Sequence, residues 1–589
     1  MARIGVFLCN CSLSPLKPAA TEELAGIIGK HRSVISTEIC PDMCMDPGIG
    51  YIKDIVQEKK LDGVVFTTCS STIHGDGFYR VMASLGFEAH QVEIVDLKQW
   101  QSRSAATGGH ISVDRGAKLI QDAIHRLEHS RAGEISRIPV VKRALVIGGG
   151  VAGIQAALDI ADGGYKVVLV EKNPSIGGHM IQYSEVFPTL DCPQCIMTPK
   201  MVDIAQHPNI TLLTYAEIQR VRGRAGNFEV EILQKARKVD HTKCTGCGTC
   251  WQKCPEKVPS EFDAGVSERT AIYVPFAQAV PAKPVIDTEN CRYIKYLQFL
   301  ENGGQGKKPP ECRICEKLCT TGAIDWKQKP QILTENFGGI VVATGFELMP
   351  VEEIHEYAED PDIIDGIKFE RILCPGGPTS GVVKRPSDGK IPKEVVFVSC
   401  AGSRDPEHGV PYCSRVCCMY LLKQAMLYKH AVPEGQAYIF YMDIRTTGKG
   451  YEEFVQRAVN EGVLYLRGKV AKIFRDGDKL SVWGADTLSG HRVEVACDLV
   501  VLGMAMMPSP GISDLAQKLG FLTDEYGFIV ESHPKLHPLE TSVPGIFVAG
   551  TAQGPKDIPD SVAQSSGAAG KILSFLSQDE IAIEELVVN

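Results

Sequence analysis

Cys244, Cys247, Cys250 and Cys254 stand in the run C-x2-C-x2-C-x3-C, and Pro255 follows the last of them directly. That spacing wraps three thiolates round one 4Fe-4S cluster and sends the fourth thiolate to another. A second half follows as Cys291, a twenty-residue gap, then Cys312-x2-Cys315-x3-Cys319. By the crossed rule, one cluster takes Cys244, Cys247, Cys250 and Cys319, and the other takes Cys291, Cys312, Cys315 and Cys254. Structural zinc is the rival use of such thiols. Cys400, Cys413, Cys417 and Cys418 gather round one strand-to-helix loop and read as a third ligand set, with reduced core cysteines as the alternative.

Five more cysteines lie near the N-terminus. Cys9, Cys44 and Cys69 each fall just after an expected strand, with Cys11 and Cys40 close by. The C-terminal ends of parallel strands converge on one crevice, so these thiols are placed to share a further cluster. Cys192 and Cys195 form a C-x2-C pair that reads either as a ligand source linking two domains or as a redox disulfide. Cys374 and Cys497 lack neighbours at ligand spacing and are expected in cores.

The other chemistry-bearing signal is Gly148-Gly149-Gly150-Val151-Ala152-Gly153, which follows the apolar strand RALVI and opens the helix IQAALDIADGG. Glycines at this spacing permit a tight turn, close approach to a pyrophosphate and close helix packing, with the phosphate on the helix N-terminus. Glu171 and Lys172 end the next strand, where a carboxylate accepts hydrogen bonds from a ribose, and Gly177-Gly178 follow.

These residues need several domains to hold them. At 589 residues the chain exceeds one compact core. The expected order is an N-terminal α/β domain (1–137), a dinucleotide-binding domain in three parts (138–240, 325–375 and 535–589), a cysteine-rich insert (241–324) and a second dinucleotide-type domain (376–534). Hydrophobic residues at 44% and charged residues at 23% describe a folded chain, and a net charge of -9 offers no basic face for nucleic acid. Met1 to Cys9 reads as a strand, and no apolar run approaches the ~18 residues of a membrane span. A cytoplasmic protein without a membrane span is expected.

ENFGGIVVATGFE, which carries Thr344 and Gly345, and VPGIFVAGTAQGP, which carries Gly550 and Thr551, give the chain a resemblance to the two-dinucleotide-domain flavoproteins that include thioredoxin reductase. The resemblance implies an α/β fold of that type, binding FAD. It departs at Thr551, where the family usually has an Asp. The second domain opens with VVFVSCAGSR, which lacks the glycine cradle that NAD(P)H-using relatives carry.

The C-x2-C-x2-C-x3-C-P insert resembles a bacterial two-cluster ferredoxin. Taken with the 400–418 cysteines, the segment GGHMIQYSEVFPTLDCPQCIMTPKM and the N-terminal cysteines, the chain resembles the A subunits of heterodisulfide reductases over nearly its whole length. This implies FAD with three 4Fe-4S clusters, a fourth falling to Cys9, Cys44 and Cys69. The implied function is electron bifurcation or confurcation between a disulfide-reducing branch and ferredoxin. The implied partners are other subunits of such a complex, a hydrogenase or formate dehydrogenase module and ferredoxin, with homodimerisation open. Lys423, beyond Cys418 on the same helix, either stabilises an anionic reduced flavin or faces solvent. Longer members of the family end in a further two-cluster ferredoxin, whereas no cysteine follows Cys497 here. A sequential electron conduit, as in quinone-interacting oxidoreductase subunits, is the main rival. A stand-alone pyridine-nucleotide disulfide reductase and a zinc scaffold are the lesser ones.

Overall fold

The computed structural model describes residues 2–11, 18–68, 71–97, 112–131, 135–357, 359–584 and 587–588. Contacts divide the chain into two units, Met1–Pro139 with Ser532–Pro538 and Glu580–Asn589, and Val140–Glu531 with Leu539–Asp579.

In the first unit, β1 (Ile4–Cys9), β2 (Val34–Cys40), β3 (Gly63–Thr68) and β4 (Val92–Asp96) form a parallel sheet in the order β2-β1-β3-β4. β1 and β3 are buried along their whole length, as continuous apolar strands covered on both faces should be. Helix α1 (Val113–His129) turns Ala117, Ile120, Ile124 and Leu127 inward, a stripe at helical spacing.

The second unit holds two sheets built to one plan. In the first, β5 (Arg143–Ile147) leads into α2 (Val151–Asp162) and β6 (Lys166–Glu171), then α3 (Pro193–Gln206) and β7 (Ile210–Thr214). With β12 (Gly339–Val342) and β18 (Ile546–Val548) these strands run parallel in the order β18-β12-β5-β6-β7. An antiparallel layer of β8 (Ala216–Arg224), β9 (Asn227–Gln234) and β11 (Gln331–Phe337) accompanies them. The second sheet runs β13 (Ile363–Asp365), β17 (Leu499–Met504), β14 (Glu394–Ala401), β15 (Gln436–Tyr441) and β16 (Leu464–Arg467), all parallel, with its own antiparallel layer over 470–497. Helix α4 (Gly366–Leu373) follows β13, α5 (Cys417–Ala431) follows β14, and α6 (Ile558–Ser577) follows β18.

The cysteine-rich insert leaves the first plan at a hairpin. Gln234 at the end of β9 pairs with Gln331 at the start of β11, so the whole of 235–330 emerges where two neighbouring strands would otherwise turn. An insertion there leaves the parent pairing untouched because its two ends already lie side by side. Inside the insert, the two-residue strand β10 (Ile272–Tyr273) pairs antiparallel with Val285–Ile286.

The second sheet takes in residues before 376 and is left before 534. The sheet starts at β13, a three-residue strand too short to show alternation. It is left after Met506–Pro508, because Ile512, Leu515 and Leu519 of the following helix pack into the core of the first sheet. Among the described residues no helix is long and apolar enough to cross a membrane.

Candidate functional site

The turn from β5 to α2 is made of glycine for steric reasons that can be read atom by atom. Gly148 has φ +109°, and a Cβ there would stand 2.2 Å from the Ala343 carbonyl oxygen. A Cβ on Gly178 would meet the Cα of Gly150 at 2.8 Å. The N-cap of α2, Gly150, brings no side chain to the helix's first amides, which leaves them for an anion. Beside the turn, the buried Glu171 accepts the Gly149 and Asn173 N–H groups, each at 2.7 Å. Burial pushes its carboxyl above the ordinary range, opposed by those two amides.

The turn opens into a cavity of about 680 Å3. Gly148, Gly150, Gly178, Glu171, Lys172, Thr344, Gly345 and Thr551 all line it. Gly153, Gly177 and Gly550 do not, and each has a packing reason instead. A Cβ at Gly153 would strike the Gly148 oxygen at 1.8 Å, one at Gly177 would meet Ile181 at 2.9 Å, and one at Gly550 would meet Ala152 at 2.8 Å. A glycine-cradled helix N-terminus, a carboxylate at the end of β6 and the buried, partnerless Thr344 hydroxyl are a donor and acceptor set that fits a dinucleotide.

The far wall belongs to the second sheet. Lys423, on α5, lines the cavity and is 2% exposed. Its Nζ donates to Glu370 on α4 and, at 2.8 Å, to the Glu185 carbonyl. Glu370 also accepts from Gln424, the Ser184 amide and the Ser184 hydroxyl, at 2.6, 3.0 and 2.7 Å. Lys423 is therefore a buried, paired cation, and the solvent-facing alternative is set aside. Two buried polar atoms on the same wall, the Tyr420 hydroxyl and Gln424 Oε1, have no partner within the protein.

One turn before these residues, α5 begins at the third cysteine set. Cys400, the penultimate residue of β14, stands in the left-handed region at φ +61°, its thiol contacts Cys417, and Cys417 contacts Cys418. Arg404 faces both Cys400 and Cys413 and donates to Asp443 at 2.5 Å. The Arg415 amide donates to Cys413 Sγ at 3.2 Å. The loop is tied down by the Ser403–Ser414 hydroxyl pair at 2.7 Å and by the Met506 amide donating to Ser414 at 2.9 Å.

In the insert, two small cavities are each ringed by four cysteines. Cys254, Cys291, Cys312 and Cys315 surround one, and Cys244, Cys247, Cys250 and Cys319 the other, which is the crossed grouping. Amides already point at some of these sulfurs, with Gly246 N–H donating to Cys244 at 3.4 Å and Ala323 N–H to Cys319 at 3.2 Å. The amide of Thr249 pulls the Cys247 thiol below its ordinary range. Such donors stabilise thiolate and help set the potential of a bound cluster.

Comparison with known proteins agrees with this chemistry. Residues 144–236 match a family model described as FAD dependent oxidoreductase, and residues 237–260 match a 4Fe-4S binding domain. The iron-sulfur A subunit of the CoB--CoM heterodisulfide reductase of Methanocaldococcus jannaschii is 43% identical over 587 residues, covering 99% of this chain and 87% of its own. The A subunit of the H(2):CoB-CoM heterodisulfide,ferredoxin reductase of Methanothermobacter thermautotrophicus is 40% identical over 589 residues, with the same coverage of 99% and 87%. The chain belongs to the A-subunit family of heterodisulfide reductases. It is an oxidoreductase component of the FAD and iron-sulfur type. The solved T. acidophilum thioredoxin reductase aligns with 74% of this chain and 100% of its own at 14% identity and a TM-score of 0.41, which adds nothing to the strand orders above.

For this family member, sequence reasoning missed several residues of the cavity. His179 lines it and hydrogen-bonds the Phe346 carbonyl at 2.9 Å. Lys556, just before α6, also lines it, and burial with Arg415 nearby pulls its ammonium down to about 8. Phe262, Tyr273 and Phe276 reach the cavity from the insert, a contribution that no local spacing announces.

At the N-terminus, Cys9 and Cys40 close β1 and β2 opposite one another in register, and burial pushes the Cys40 thiol up to about 12. Cys11 and the half-buried Cys44 pack beside them. Cys69 lies outside the described residues. Cys192 caps α3, its sulfur accepting the Cys195 amide at 3.4 Å, and both cysteines are exposed. Cys374 and Cys497 are buried in cores.

Proposed function

We propose that this protein is the flavin-bearing branch point of a heterodisulfide-reductase-type complex, dividing electron pairs between a disulfide-reducing branch and a ferredoxin branch. The observation that carries the reading is that one cavity is walled by three modules: the glycine turn of the first sheet, α5 of the second sheet with Cys417 and Cys418 at its start, and the insert with Tyr273 and Phe276. A bound flavin would supply exchange between two-electron and one-electron transfer, and each 4Fe-4S cluster one-electron transfer.

The protein's own residues divide the work. Gly148, Gly150 and the first amides of α2 hold a pyrophosphate, and Glu171 orients a ribose. Lys423, Tyr420 and Gln424 present donors and an acceptor from a buried wall, with the Lys423 charge offset by Glu370. Cys400, Cys413, Cys417 and Cys418 hold a cluster at one side of the cavity, and the eight insert cysteines hold two on another. Cys9 and Cys44, with Cys69, are proposed for a fourth. Names of relatives such as the A subunit of the H(2)/formate:CoB-CoM heterodisulfide,ferredoxin reductase of Methanococcus maripaludis support partner subunits that deliver electrons from hydrogen or formate and a ferredoxin that receives them.

An anaerobic redox titration of the purified chain, followed by visible absorbance and EPR, tests this. Flavin reduction in a single two-electron step, beside low-potential clusters, is expected. Uptake in two one-electron steps at well-separated potentials would replace the branch point by a sequential conduit.

A further inference from the structure

We propose that the inserted ferredoxin completes the adenosine half of the flavin site, with Tyr273 and Arg269 as its contacts, and that flavin retention is thereby coupled to the cluster at Cys254, Cys291, Cys312 and Cys315. This rests on the flavin and cluster assignments above.

The insert is pinned beside the end of the cavity that Glu171 marks. Ile176 N–H donates to the Val280 carbonyl at 3.1 Å, and Ser175 Oγ accepts the Val280 amide at 2.9 Å. Ile176 in turn packs on Gly149, whose amide Glu171 accepts. Arg237, at the root of the insert, is buried and donates to the Pro174 carbonyl at 2.9 Å and to Thr214. At this end of the cavity the chain offers Tyr215 from the first sheet and Tyr273 from the insert, with the Arg269 guanidinium 3.8 Å from the centre of the Tyr273 ring. Aromatic rings and a stacked guanidinium are the groups that hold a nucleobase by its face.

The coupling comes from β10. Adjacent residues of a strand face opposite ways. Ile272 is 2% exposed and lines the cavity ringed by Cys254, Cys291, Cys312 and Cys315, while Tyr273 lines the large cavity. Arg269 is tied to the same cluster loop, because it donates to Asp287 at 3.0 Å and Asp287 caps the turn whose next residue is Cys291. Emptying the cluster cavity removes what Ile272 packs against and frees the strand that carries Tyr273.

The test uses the full-length chain purified without oxygen, stripped of flavin and titrated with FAD, ADP and FMN. Tyr273→Ala should weaken FAD and ADP alike by about tenfold, the scale of one base-aromatic stack, and leave FMN unchanged. Tyr273→Phe should bind as the parent does. Cys312→Ser should weaken FAD, whereas Cys247→Ser, in the other cluster, should not. A Tyr273→Ala protein with parental iron content and parental FAD affinity would overturn the adenosine contact, as would a loss shared equally with FMN. Parental FAD affinity in Cys312→Ser would overturn the coupling. A parent chain that binds no FAD at all would instead defeat the flavin assignment itself.

Discussion

Two turns of this protein occupy the same place in sheets of the same plan. The turn from β5 to α2 takes three residues, 148–150, and offers bare backbone. The turn from β14 to α5 takes fifteen, 402–416, and delivers Cys413 between Cys400 and the Cys417–Cys418 pair. Both put their chemistry at the C-terminal end of the middle parallel strand and the N-terminus of the next helix, where open α/β sheets place ligands. The sheet thus selects where a ligand sits, and the loop selects which one. Glycine supplies the left-handed backbone in the short turn without steric penalty. At the second turn Cys400, at the end of β14, and Arg404 and Arg415, in the loop, stand at φ between +58° and +63°. Each such residue costs on the order of 1–3 kcal/mol, so surrounding bonds must hold it. The Arg404–Asp443 and Ser403–Ser414 contacts do so here.

The two turns should act separately. Gly148→Val, which places a branched side chain where even a Cβ meets Ala343, is expected to abolish flavin binding while leaving iron content unchanged. Cys417→Ser is expected to remove roughly four iron atoms per chain and leave the flavin in place. Flavin fluorescence and iron analysis on both variants check this, and joint loss in either would show that one turn depends on the other.

A smaller effect is expected at the ion pair within the far wall. Lys423→Met leaves Glu370 buried without its cation, which costs about 3–5 kcal/mol, and Lys423→Met with Glu370→Gln should recover most of that. Thermal unfolding of the three proteins measures it, and an additive double variant would show that the two groups stand apart energetically.

The smallest concerns Lys556, whose ammonium is held at about 8 against an ordinary 10.5. Because the folded value lies below the unfolded one, the buried charge opposes folding fully below pH 8, and the penalty fades as pH rises towards 10.5. Lys556→Met should therefore stabilise the flavin-free protein at neutral pH by about 1–2 kcal/mol after allowance for solvent screening, with the gain vanishing in alkali. Denaturant titrations at several pH values would reveal the slope, and a gain independent of pH would assign the effect to packing.

What the sequence makes legible follows the same division. Cys244 to Cys254 and Gly148 to Gly153 announce themselves because their function is fixed by spacing along the chain. Glu370 does not, because KFERIL looks like any amphipathic helix until folding sets it against Lys423, 53 residues away in sequence. Tyr273 is hidden for the same reason, and so is β13, whose three residues join the second sheet only through pairing with β17. The glycines divide likewise. Gly153, Gly177 and Gly550 satisfy the motif yet serve packing, a distinction made by distances to Gly148, Ile181 and Ala152 that spacing does not encode.

The pairing of Gln234 with Gln331 also makes the insert a separable module. A two-residue Asn-Gly link between these positions would close β9 and β11 as an ordinary hairpin and excise the ferredoxin without disturbing the parallel sheet. The product would keep the first unit and both parallel sheets of the second, and its flavin would report directly how far the inserted module has become indispensable to its host.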